Sequence, residues 1–498
     1  MFLTLLQREL LANLIAFRFS VAVIICLLLV VTNTIVLIDD YKSRLASYNT
    51  AAQKHWEEAK NAETYSQLTV SVDRPPNPLS IFNQGLDRRL GNSVDIHHSH
   101  VPALWDTASH SADNPFLSLF SSIDLLFIFQ VIFSLMALLF AYDAIAGERE
   151  GGTLRLMLTT PVQRGSILFA KYISAMLCLI VPLIMSLLLS LILYAFSQAI
   201  VLSGDDWVRI GGILLTSIVY LSAFYLIGLL LSTLTQRTAT ALMLSMLLWG
   251  TLVLIYPSAS IFAVNRLVKA DSKLEAAYEE IQQIWEEFDR VRTDLKNQDP
   301  FKGENMYGSV GIGSGTNADS TTLRYYSYES INWNRIDDEK SGPQIPHVKT
   351  YYKSLESQRI RAAEKTWLVR QEALKQIYVR KASVAQTVMR LSPAAMYDMA
   401  TEAWAGTDFH GIEDFLQAAR QYRQTLIHYL EDKDTFASRQ WFASDKGAVN
   451  LDDLPQFTYR RTDALTGAKR AMPDVAALLL INVVLFLTTL LIFIKQEV

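Results

Sequence analysis

Five stretches of this sequence contain no Asp, Glu, Lys or Arg: residues 19–38, 172–203, 210–234, 238–264 and 475–494. A sixth, residues 116–142, contains only Asp124. Each is long enough to cross the roughly 30 Å hydrocarbon core of a bilayer, which takes about 20 apolar residues in a helix. A charge at mid-span costs about 2.5–3.5 kcal/mol on insertion scales, so runs this long without charge restrict the chain to one class. The expected fold is an all-α polytopic membrane protein with six transmembrane helices.

The short connections set the orientation. Residues 143–171 carry Arg149, Arg155, Arg164 and Lys171, residues 233–237 carry Arg237, and the tail carries Lys495, whereas 204–209 sets Asp205 and Asp206 against Arg209. The positive-inside rule then places 143–171, 233–237 and both termini in the cytoplasm. Residues 39–115 and 265–474 fall on the other side, making an extracytoplasmic domain from two insertions. Residues 1–18 read as an amphipathic helix on the cytoplasmic face, with Leu3, Leu6, Leu10, Leu14 and Phe17 at helical spacing. No small-residue cleavage site follows the first span, so a cleaved signal peptide is not expected. The two cysteines, Cys26 and Cys178, both lie in spans, so the domain outside is held without disulfides. A net charge of −4, from 45 basic and 49 acidic residues, argues against a nucleic-acid partner.

Outside the membrane the pattern stays mainly helical. The helix of span one continues outward to about residue 67 and stops before Arg74-Pro75-Pro76-Asn77-Pro78. Residues 79–115 read as irregular. Leu267, Leu274, Tyr278, Ile281, Trp285, Phe288, Val291 and Leu295 form a heptad-like stripe on a helix leaving span five. Residues 298–346 read as loop with a short strand pair. A second helix over 348–391 is expected to pack back antiparallel on the first. A third covers 409–432, capped by Thr407 or Asp408 after Gly406. Residues 433–473 read as irregular.

The most informative stretch runs from Asp143 to Lys171. Gly147, Gly151 and Gly152 break the helix leaving span two, Thr153 can cap a short new helix, and Pro161 ends it. Leu154, Met157 and Leu158 share one face of that helix. Such a segment is shaped to dock in a groove of a soluble partner, with Glu148, Arg149 and Glu150 at the rim. The plainer alternative is an ordinary connection between spans.

This stretch resembles the segment between spans two and three of ABC-2 type permeases. The matching residues are Asp143, Glu148-Arg149-Glu150, Gly152-Thr153-Leu154, Pro161-Val162, Arg164 and Lys171. Arg74-Pro75-Pro76-Asn77-Pro78-Leu79-Ser80 and Ala405-Gly406-Thr407-Asp408 look like a subgroup with a large extracytoplasmic domain. The resemblance implies that Glu148 to Arg164 is a coupling helix contacting a separate ABC ATPase. It also implies a paired second permease subunit, homo- or heteromeric, in a bacterial cytoplasmic (inner) membrane. ATP and Mg would then be bound by the ATPase and no cofactor by this chain, which has no G-x-x-x-x-G-K-[ST] loop. Two outputs are open: export or extraction of a substrate, or mechanotransmission to an envelope partner.

Other candidates are weaker. Asp124, alone in its span, could face a bundle interior or wet cavity, or else begin the span near the headgroups. His97, His98, His100 and His110 could hold Zn or Cu, but a solvated loop is the simpler reading. Asp39-Asp40, Asp337-Asp338 and Asp452-Asp453 could serve a membrane-bound glycosyltransferase-like enzyme, with no further catalytic constellation beside them. Gly311, Gly313 and Gly315 imitate a nucleotide loop without its lysine.

Overall fold

The computed structural model describes residues 2–15, 17–87, 91–103, 106, 124–154, 163–197, 200–267, 271–298, 308–320, 323–374, 376 and 380–495. It contains six helices long and apolar enough to cross a membrane. Helix α1 (Phe2–Ile15) lies against the third span. Span one belongs to a single 44-residue helix, α2 (Phe17–Lys60). At 1.5 Å per residue it is about 65 Å long, twice the hydrocarbon thickness, so its second half stands outside the membrane. It ends at Lys60, seven residues before the expected stop.

The described part of span two is α3 (Leu125–Ile128), a π-helical segment (Phe129–Phe133) and α4 (Ser134–Ala141). Its expected beginning at 116–123 lies outside the described residues. A turn leads to α5 (Ala146–Glu150), and span three is α6 (Arg164–Phe196). Span four is α7 (Gly204–Leu234). Span five is α8 (Thr238–Trp249), a second π-helical segment (Gly250–Ile255) and α9 (Tyr256–Leu267). Span six is the last helix of the chain, Ala464–Lys495. Spans three, four and six start earlier than expected, because absence of charge marks the hydrocarbon, whereas the helices run on through charged residues such as Arg164, Lys171 and Arg209.

The bundle has its polar groups inside and apolar groups outside, as a lipid solvent requires. Thr34 and Ser190 hydrogen-bond at 3.0 Å between spans one and three, and Tyr172 meets Ser222 at 2.7 Å. Met243, Leu247, Val181 and Leu480 are more than half exposed. Both termini lie at the same end: Lys171 pairs with Glu9 of α1, and Arg164 Nη1 donates to Ile494 O at 2.9 Å.

The extramembrane domain follows the outer half of α2 and span five. Strands β1 (Val70–Asp73) and β2 (Ser93–Ile96) pair antiparallel, with Val70 opposite Ile96, and β2 falls in the 79–115 stretch expected to be irregular. Helix α10 (Asp271–Gln298) carries the heptad-like stripe, and Ile281, Trp285 and Phe288 are buried as that stripe demands. It packs on α12 (Ile345–Leu374), beyond the short α11 (Asp338–Ser341), as expected of the two long helices. Between them β3 (Gly308–Asp319) and β4 (Arg324–Ile336) form a hairpin longer than the short pair expected. Gly311, Gly313 and Gly315 are ladder residues of β3, which removes the resemblance to a phosphate loop.

Of the expected helix over 348–391, α12 and α13 (Arg380–Met389) are seen, and residues 375 and 377–379 between them lie outside the described residues. Next comes α14 (Pro393–Ala405), which sequence patterning missed. Helix α15 (Phe409–Asp432) is capped as anticipated: Asp408 Oδ1 accepts from Gly411 N at 3.0 Å, and Gly406 has φ +71°. Span six is α16 (Ala464–Lys495).

Helix α14 changes the architecture, because it does not belong to a layer outside the bundle. It packs between spans four and six. Tyr397 stacks on Tyr220 with ring centroids 4.4 Å apart, and its hydroxyl lies 2.9 Å from Ser217 Oγ. Tyr220 is about 15 Å inside the charge-free stretch of span four. Residues 380–405 therefore form a hairpin that re-enters the bundle, down along span five as α13 and back up as α14. Part of the stretch 265–474, expected to lie outside, thus packs directly against spans four and six. The charges of the hairpin hid this from a search for uncharged runs.

Candidate functional site: the surface between spans two and three

The turn after span two is fixed by span four. Ser232, fully buried, accepts from Ile145 N at 3.0 Å and Ala146 N at 2.9 Å, satisfying two amides at the start of α5. The Glu-Arg-Glu sequence then addresses three different helices. Glu148 lies 3.6 Å from Lys171 of span three, and Lys171 also binds both carboxylate oxygens of Glu9 at 3.0 and 3.1 Å. Arg149 donates to Thr235 O at 2.6 Å and Thr233 O at 3.3 Å, closing carbonyls at the C-terminus of span four. Glu150 accepts from Thr238 N at 3.0 Å and Thr238 Oγ1 at 2.8 Å, the first residue of span five. Carboxylate at a helix N-terminus and guanidinium at a C-terminus both follow the helix dipole.

These three charges were expected at the rim of a partner's groove. Within the chain they bond to spans three, four and five, clamping the segment to those helices. Leu154 likewise does not face outward: it is 1% exposed and belongs to the core of the bundle. The apolar face of the expected helix is thus an inward anchor where it is described. Met157 and Leu158, with the rest of 155–162, lie outside the described residues. The outward surface is Glu150, Gly151, Gly152 and Thr153, all exposed. Thr153 Oγ1 hydrogen-bonds Glu148, and Gly152 has φ +72°, a conformation only glycine takes without strain. Arg164 donates to the penultimate carbonyl of span six, Ile494 O. The segment is thereby bonded to spans three, four and five, and span three is bonded in turn to α1 through Lys171 and to span six through Arg164. Ser232, Thr238 and Glu9 were not singled out from sequence, since serines and threonines are scattered through every span.

The two motifs assigned to a subgroup meet at the opposite end. Asn77 Nδ2 donates to Ala405 O at 2.8 Å, and Leu86 N donates to Thr407 O at 2.8 Å. Gly85 faces Thr407 so closely that a Cβ would lie 2.6 Å from its carbonyl oxygen. Arg461 binds Asn77 Oδ1 and Asp206 Oδ1, both at 2.9 Å, while Arg209 donates to Trp404 O at 3.0 Å and to Thr462 O at 2.5 Å. This knot joins span four, the re-entrant hairpin and the lead-in to span six.

The weaker candidates separate. Asp124 is an N-cap: its Oδ1 accepts from Phe127 N at 2.7 Å and its Oδ2 from Gln84 N at 3.1 Å, so it begins the described part of span two. His98 Nε2 meets Glu356 at 2.7 Å, His100 Nε2 meets Asp106 at 3.0 Å, and His97 Nδ1 meets Ser99 at 2.7 Å. These histidines do not form a solvated loop, since His98 is buried and the other two half-buried. Burial holds the imidazoles of His97 and His98 well below the usual histidine range, aided by the Arg359 guanidinium. His110 lies outside the described residues. Among those described, no three His, Cys, Asp or Glu side chains come together as a metal site. Asp40 pairs with Arg44, Asp338 with Arg439 and Lys446, and Asp453 with Lys433, three separate places with no shared catalytic centre.

Comparison with known proteins bears on the family. The chain is 64% identical over 39 residues to the probable ABC transporter permease protein NosY of Stutzerimonas stutzeri, covering 8% of this chain and 14% of that protein. Over 129 residues it is 36% identical to the protein of the same name from Pseudomonas aeruginosa, covering 25% of this chain and 46% of that one. It therefore spans less than half the length of either relative. The profile of ABC-2 family transporter proteins, by contrast, matches residues 13–498. With six spans and this surface between the second and third, the chain belongs to the ABC-2 transporter family.

Proposed function

We propose that this permease is driven by a separate ABC ATPase that docks on the surface formed by Glu150 to Thr153 and the adjoining 155–162 segment. The observation that carries the reading is the three-way clamp of Glu148, Arg149 and Glu150. A push on an exposed segment bonded to several helix ends moves those ends together, whereas a loose connection would absorb it. ATP favours one arrangement of the spans only through a difference in these contacts between states. The termini and the clamp face the cytoplasm, the membrane is a bacterial inner membrane, and a second permease subunit completes the pair. ATP and Mg sit on the ATPase.

A second reading, mechanotransmission, has its own support. Helix α2 runs unbroken through 44 residues from span one to the extramembrane domain, where it packs on β1. Such a rod delivers motion to an envelope partner without a substrate crossing. The test is the full chain purified with the ATPase encoded beside it. Gly151→Trp, which adds bulk to the exposed surface, is expected to weaken ATPase binding at least about tenfold, a loss of roughly 1.4 kcal/mol. Unchanged binding and hydrolysis would contradict the docking site. Hydrolysis and extramembrane motion without any transported species would favour mechanotransmission over export.

A further inference from the structure

The re-entrant hairpin meets the bundle at two unusual places. π-Helical turns are rare and mostly mark functional positions, because the extra residue loosens the i→i−4 ladder. Spans two and five each contain one, Phe129–Phe133 and Gly250–Ile255, and both touch the hairpin. In span two, Gln130 Nε2 donates to Ala394 O at 3.2 Å and to Asp398 Oδ2 at 3.1 Å. In span five, Leu252 O accepts from Ser392 Oγ at 2.6 Å, at the hairpin's turn. The residues that flank the two segments are also bonded, since Trp249 Nε1 donates to Ser134 Oγ at 2.8 Å. Tyr220 of span four donates to Gln130 O at 3.0 Å. The other end of α14 terminates in the knot of Asn77, Arg209 and Arg461, where the extramembrane domain begins.

We propose that the hairpin α13–α14 carries movement of the spans into the extramembrane domain, with Gln130 as the residue that positions it. The two π-helical segments are the joints: each can lose or shift its extra residue's worth of winding at little cost, while α14, packed on spans four and six, moves as a rod. The hydrogen bond from Gln130 to Asp398 sets which winding the rod accepts. This deepens the reading above and rests on its ATP-driven stroke.

The test uses the full chain with its ATPase in lipid nanodiscs. Spin labels go on Lys353→Cys in α12 and Leu465→Cys at the start of span six, both exposed; the native Cys26 and Cys178 are buried and stay unlabelled. The label distance should change on trapping with ATP and vanadate. Gln130→Leu should abolish that change while hydrolysis stays within about twofold, and should speed amide exchange in 393–405 about tenfold. Asp398→Leu should reproduce both effects, and Asp398→Asn, which keeps an acceptor, should restore the distance change. A Gln130→Leu protein with the wild-type change overturns the proposal, as does an Asp398→Asn protein as impaired as Asp398→Leu. If the wild type itself shows no change with ATP, the ATP-driven reading fails, and exchange judges the hairpin alone. Faster exchange in Gln130→Leu at both 393–405 and 77–87 then supports the linkage, and an effect confined to 125–141 overturns it.

Discussion

Replacing Lys171 by methionine would separate the N-terminal helix from the surface proposed to meet the ATPase. The ammonium is 5% exposed and bridges Glu9, 15% exposed, at 3.0 Å and Glu148, 20% exposed, at 3.6 Å. Methionine keeps the length and volume of the stem but strands two carboxylates. Removing one partner of a fully buried ion pair costs about 3–5 kcal/mol. Both carboxylates here retain some access to water, which reduces the expected cost to about 1–3 kcal/mol. The shorter contact assigns most of that loss to Glu9. Asn13 to Ser174 at 3.4 Å, Phe2 stacked on Phe169 and Leu10 packed on the bundle core also hold α1, and its docking should weaken about tenfold. Hydrogen exchange of the full chain would read this as faster exchange over 2–15, and the complex would hydrolyse ATP with a weaker response in the spans. Adding Glu9→Gln and Glu148→Gln should recover the stability, because the stranded charges are gone, but not the response. Unchanged exchange over 2–15 in Lys171→Met would refute the reasoning.

Ser232→Ala should destabilise the turn after span two by about 1–3 kcal/mol, since the amides of Ile145 and Ala146 lose their acceptor; faster exchange at 145–150 checks it. Gly212→Ala should cost about 1–3 kcal/mol and lower the melting temperature of the purified chain, because a Cβ there would lie 2.4 Å from the Trp404 ring of α14. Acid should weaken the extramembrane domain. Burial lowers the pKa of His97, His98 and His100, so the unfolded chain binds more protons as pH falls below about 6.5. Stability is therefore present above that pH and declines below it; Glu356, raised by burial, opposes the trend by taking up a proton in the folded state. A denaturation midpoint at pH 5.5 equal to that at pH 7.5 would contradict this.

The spans were legible because bilayer thickness and the cost of charge act on long uniform runs. The stripe through Ile281, Trp285 and Phe288 and the Gly406–Asp408 cap were legible because each is a local pattern with a local cause. The hairpin was not. Helix α14 carries Asp398 and Glu402, and a helix buried among other helices need not be free of charge when Gln130 supplies a partner. In the segment after span two, the composition of Glu148-Arg149-Glu150 marked charges of interest but not their partners within the chain. Spacing cannot tell whether a charge faces a partner or the chain's own helix ends. That distinction required Thr235 and Thr238, residues whose relevance arises only once spans four and five are packed.

An ATPase is expected to meet the surface between spans two and three. A single cysteine at Gly151, exposed beside the clamp and in a chain whose native cysteines are buried, gives the most direct test. Treated with a short thiol-to-amine cross-linker, this variant should form one adduct with the co-purified ATPase, strengthened or weakened by ATP. Cysteine at Lys353, in the extramembrane domain, should form none. An ATPase that co-purifies yet is never captured from position 151, or is captured equally from 353, would contradict the account.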